Sequence, residues 1–120
     1  MPSHELPPLS IRRLEEKIRT GSEPENPMLI RVWLSHGLSE NAPTAYLRAQ
    51  YTAKFQLLLE TIVDELVPVH WRISCLDCVY LPLSSLKKLS DCEASEQHLQ
   101  ALLNELAVST RYVERSLTIS

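Results

Sequence analysis

The chain has 120 residues, 44% hydrophobic and 22% charged, with a formal net charge of −3. That length supports one compact unit, and the balance excludes wholesale disorder and collagen-like repeats. With two glycines against 21 leucines, it lacks the turn material of an all-β protein and reads as all-α.

Residues 1–9 hold three prolines and no periodicity, which predicts a mobile arm. A first helix follows, with Ser10 as N-cap, Ile11, Leu14 and Ile18 on one face, and Gly21 as its stop. Two prolines and a glycine within residues 21–27 then predict a flexible linker able to reposition that helix. Pro27 opens a second helix carrying Met28, Leu29, Val32, Trp33 and His36, stopped at Gly37.

A long third helix runs from Pro43 to about Leu66, with Tyr46, Leu47, Tyr51, Phe55, Leu58, Ile62 and Leu66 as its stripe. Residues 69–90 are apolar on two sides. One stripe is Val69, Ile73, Leu76, Tyr80 and Leu83, and the other is Trp71, Cys75, Cys78, Leu86 and Leu89, which predicts a helix inside a bundle, kinked or split by Pro82. The last helix, about 93–117, starts near Ser90 or Asp91 and faces its core with Leu99, Leu102, Leu103, Leu106, Val113 and Leu117. The expected fold is a single all-α bundle of four to five helices: an arm, helix and linker over 1–27, then a bundle domain over 28–120 with 43–66, 69–90 and 93–117 as an antiparallel core. On that reading Ile62→Ala and Leu103→Ala each cost roughly 2–5 kcal/mol.

Several function classes fall away on these residues. Glycines at 21 and 37 alone build no phosphate loop, and there is no Glu-x-x-His pair for a di-iron bundle. His70, Ser74 and Asp77 lie in a row along one helix without oxyanion donors, so they read as a solvated face. Glu60 and Asp64 likewise read as surface carboxylates. Three cysteines cannot all pair within one chain, no secretion signal is legible at the N-terminus, and acidic residues and Arg72 interrupt the most apolar region, so a cytoplasmic protein that does not span a membrane is expected.

Two constellations remain. Cys75 and Cys78, followed by Cys92 and His98, approximate the spacing of a zinc site, although a leucine-rich helical setting favours buried packing for the first two. Arg12 and Arg13 on helix one, with Arg48 and Lys54 on a helix-turn-helix-like 28–55 segment, offer a thin phosphate grip for a nucleic-acid-binding regulator. The leading expectation is neither. It is a small non-enzymatic adaptor or regulatory protein (a regulatory subunit, anti-activator or secretion-type chaperone) that contacts a protein partner, or a second copy in a homodimer, through Ile11, Leu14, Ile18, Met28, Leu29 and Trp33. No cofactor is expected, zinc being the alternative.

Overall fold

The computed structural model describes residues 8–36, 38 and 41–119, with side chains from Ser10 to Arg115 of that set. Its regular structure is helical throughout the described residues: α1 (Pro8–Thr20), α2 (Met28–Ser35), α3 (Thr44–Val63), α4 (Val69–Cys78), α5 (Tyr80–Lys88) and α6 (Glu93–Ile119). The all-α bundle is as expected. No helix among these residues is long and apolar enough to cross a membrane.

Residues 1–7 of the expected arm lie outside the described residues, as do the stop at Gly37 and the side chain of Leu117. Pro8 and Leu9 already belong to α1, because proline fits a helix's first turn, and Ser10 is therefore an interior residue rather than the N-cap. The other end follows the sequence. Gly21 sits at φ +66° and its N–H reaches the Lys17 carbonyl at 2.9 Å, with Ser22 N–H on the same oxygen at 3.3 Å. Gly21 is also a packing position: an added Cβ would stand 2.8 Å from Trp71 Cδ1 and 3.0 Å from Val67 Cγ1. The 21–27 segment is thus held at its first residue and continues through turns tied by Lys17–Glu23 at 2.7 Å and His70–Glu25 at 3.2 Å.

α3 ends three residues before the expected Leu66. Asp64 leaves helical geometry (φ −83°, ψ 107°) and its carboxylate accepts the Leu66 N–H at 2.9 Å, the local competition that short polar side chains offer a helix end. Leu66 is 94% exposed as a result, so it is no core residue. The 69–90 element divides at Val79, three residues before Pro82. Proline 82 has no N–H for the Cys78 carbonyl four residues back, and α4 stops at Cys78 for that reason.

Burial on that element is one-sided, which corrects the two-stripe expectation. Trp71, Cys75, Cys78, Leu83 and Leu86 are buried, while Val69, Ile73 and Tyr80 are exposed. Tyr46 is exposed as well, and Leu103 on α6 is 39% exposed where Leu102 and Leu106 are 4%. At the start of α6 the hydroxyl that accepts the Asp91 and Cys92 N–H groups belongs to Ser95, not to Ser90 or Asp91.

α3, α4–α5 and α6 run up, down and up. Ile62 pairs with Arg72 and Arg48 with Leu89, so α4–α5 is antiparallel to α3, whereas Thr52–His98, Gln56–Glu105 and Glu65–Tyr112 place α6 parallel to it. Phe55, Leu58, Ile62 and Trp71 fill the centre. α1 and α2 lie against α3 and α4. The whole measures 45 × 36 × 17 Å, thin enough for two layers of helices and no more.

One device recurs at the helix ends. The last carbonyls of a helix have no partner within it and carry partial negative charge. Here each of four ends receives a donor from another helix: Trp71 Nε1 to Ile18 O at the end of α1, Lys54 Nζ to Trp33 O at the end of α2, Arg72 Nε to Ile62 O at the end of α3, each at 2.8 Å, and Arg48 Nη2 to Leu89 O after α5 at 2.9 Å. Buried Lys54 and Arg72 make sense as these caps: their charge meets a helix terminus instead of empty core.

Candidate functional site

The two N-terminal helices meet along one another without closing. Between them lies a groove of about 330 Å³ lined by Ser10, Arg13, Leu14, Lys17, Leu29 and Val32. Positions 10, 13, 14 and 17 form one face of α1, and 29 and 32 one face of α2. Leu14 is nearly buried, Leu29 half-buried, and Val32 is 47% exposed, so the apolar floor opens to solvent on the α2 side. Met28, at 60% exposure, extends the apolar surface of α2.

Polar contacts also fasten the two helices to each other and to α3. Trp33 donates its indole N–H to Glu15 at 3.0 Å, and Lys54 lies 4.6 Å from the ring centroid while bonding the Trp33 carbonyl. Burial lowers the Lys54 pKa to about 8, against the opposing pull of Glu15. At the far end of α1, Arg19 pairs with Asp64 at 2.8 Å, and this hydrogen bond holds the Asp64 carboxyl below the ordinary range.

Of the six residues expected to meet a partner, the structure divides the set. Leu14, Leu29 and Met28 stand in or beside the groove, and Ile11 is half-buried. Ile18 and Trp33 are enclosed by the chain's own core at 0% and 1% exposure, because α1 packs on α3 with its Ile18 carbonyl on Trp71, and α2 turns Trp33 inward against Glu15 and Lys54. Arg13, Lys17 and Val32 complete the site. None of the three is in that partner set, since the sequence offers Arg13 as a phosphate contact and Lys17 as part of a solvated face until α2 is set beside them.

The two candidate cations of the 28–55 segment, Arg48 and Lys54, are engaged internally. Arg48 is ion-paired with Asp91 at 2.6 Å, and Lys54 is buried, while Arg12 and Arg13 are exposed on α1. The zinc candidates are dispersed by environment. Burial pushes the Cys75 thiol up to about 12 and raises that of Cys78, Cys92 is exposed against Ser95, and His98 faces Thr52. Among the described residues no three His, Cys, Asp or Glu side chains come together to hold a metal.

A second, smaller recess of about 110 Å³ lies where Leu34, Leu38 and Tyr51 meet Leu81, Pro82 and Ser85. Comparison of the chain with protein-family models, with curated proteins and with solved structures finds no match.

Proposed function

We propose that this protein is a non-enzymatic cytoplasmic adaptor or regulatory protein that works by gripping another protein chain at α1 and α2. The observation that carries the reading is the open groove: two helices fixed to the core by buried tryptophans leave between them an apolar floor beside exposed Met28 and Val32. Apolar surface held open on a rigid support is what helix-in-groove recognition requires.

The test is photo-crosslinking in the cell of origin, with a benzophenone side chain placed at Val32 and, as control, at exposed Ser84 on α5. A discrete protein adduct at Val32 that is missing at Ser84 supports the reading, whether the captured chain is another protein or a second copy. Adducts absent from Val32, or identical at both positions, overturn it.

A further inference from the structure

Resting on that reading, we infer that the α1–α2 groove receives an acidic amphipathic helix of a partner protein, whose carboxylates meet Arg13 and Lys17 while its apolar side chains meet Leu14, Leu29 and Val32. Charge selects this occupant. The two ionisable residues that line the groove are both cations, Arg13 and Lys17, and both side chains are exposed. They stand four positions apart, one turn, so they present charge at the spacing at which a facing helix presents carboxylates at i and i+4.

Size narrows it further. From Ser10 to Lys17 α1 rises about 10 Å, so the groove covers about two turns of a partner and admits two or three apolar side chains.

Lys17 already has a carboxylate beside it. Glu23 reaches it at 2.7 Å from the α1–α2 connection, with both side chains almost half exposed, 46% and 43%. Glu23 therefore stands where a partner's carboxylate would stand, and binding exchanges one exposed ion pair for another. Solvent screens an exposed pair strongly, so the exchange is easily made. This internal placeholder makes an unusual demand: removing the acid from this protein tightens its grip on an acidic ligand.

The experiment titrates the full chain against a fluorescein-labelled synthetic peptide about four helical turns long, with leucines at three- and four-residue spacing and glutamates beside them. A sibling peptide carries lysine at every glutamate position. By anisotropy the glutamate peptide is expected to bind about tenfold tighter than the lysine peptide, Arg13→Glu with Lys17→Glu to reverse that order, and Val32→Glu to weaken the glutamate peptide about tenfold. Glu23→Gln is expected to strengthen it about two- to threefold. All four positions are partly or fully exposed, and thermal melting confirms that each variant folds. Equal affinity for the two peptides, or no response to the Arg13 and Lys17 changes, overturns the inference. So does tighter binding of a single-stranded DNA oligonucleotide that ignores Val32→Glu, or saturation of the groove by self-association. A Val32 photo-adduct together with indifference to peptide charge would sink the acidic helix while leaving the adaptor reading standing.

Discussion

Trp33 and Trp71 are both closed off from solvent, and both reach α1 through the indole N–H, yet they hold it in different ways. Trp71 bonds a main-chain carbonyl and lays its ring edge against Gly21, where not even a methyl group fits. Trp33 bonds a carboxylate, carries a cation near its ring, and ties α2 to α1, the two helices that line the groove. The first attachment is fixed by shape. The second is made by charged side chains, and it joins the two helices that line the candidate binding surface. A helix can thus be anchored at one end by close packing and at its middle by charge.

The sharpest way to break that contrast is at the close-packed end. Trp71→Ala is expected to cost about 3–5 kcal/mol of unfolding free energy, and Gly21→Ala about 2–4 kcal/mol from left-handed strain plus crowding. Urea denaturation measures both. A loss under about 0.5 kcal/mol for Gly21→Ala would mean that close packing does not fix the Trp71 end.

At the Trp33 end the expected signature is a pH dependence. Lys54 titrates at about 8 when folded and near its ordinary 10.5 when unfolded, so between these values the unfolded chain binds the extra proton and stability rises with pH. The rise attributable to Lys54 is about 2 kcal/mol between pH 8 and pH 10. Cys75 acts in the opposite sense above its ordinary value of 9, since the folded state retains its proton. Subtracting the profile of Lys54→Met removes the Cys75 contribution and isolates the lysine. Parallel profiles for the two proteins would show that Lys54 is not desolvated.

Glu15→Gln is a smaller perturbation, about 0.5–1.5 kcal/mol, because Trp33 keeps a neutral acceptor. With the carboxylate gone, its opposition to the desolvation of Lys54 is lost, and the alkaline rise is expected to begin at lower pH. An unmoved onset would uncouple the two groups. Smallest of all, Leu103→Ala, remote from both tryptophans and 39% exposed, is expected to cost under about 1 kcal/mol.

Periodicity made the helices legible because it records local geometry: the α3 stripe of Phe55, Leu58 and Ile62 and the stop at Gly21 stand as read. What it could not record is which of several apolar faces a neighbour covers. Val69, Ile73 and Leu103 have the spacing of core residues and lie outside it because the bundle is flat. The trans caps were invisible for a related reason. Arg72 and Lys54 look like ordinary charges in a helix, and their carbonyl partners stand 10 and 21 residues away. The groove was half legible: Leu14 follows from the stripe on α1 and Leu29 from the apolar run of α2, but its cations join them only where α1 and α2 face each other.

The bond from Trp71 to the Ile18 carbonyl spans 53 residues, and it orders events in time as well as in space. α1 leaves the ribosome before α4, and the Trp71 indole that receives it is made 53 residues after Ile18, a wait of about 3–10 s at ordinary elongation rates. Contacts that close so long a loop form late, after the local ones. Of the two helices, the one made earlier waits for its seat, and throughout that interval the nascent chain carries the Ile18 carbonyl without the Trp71 indole that will receive it.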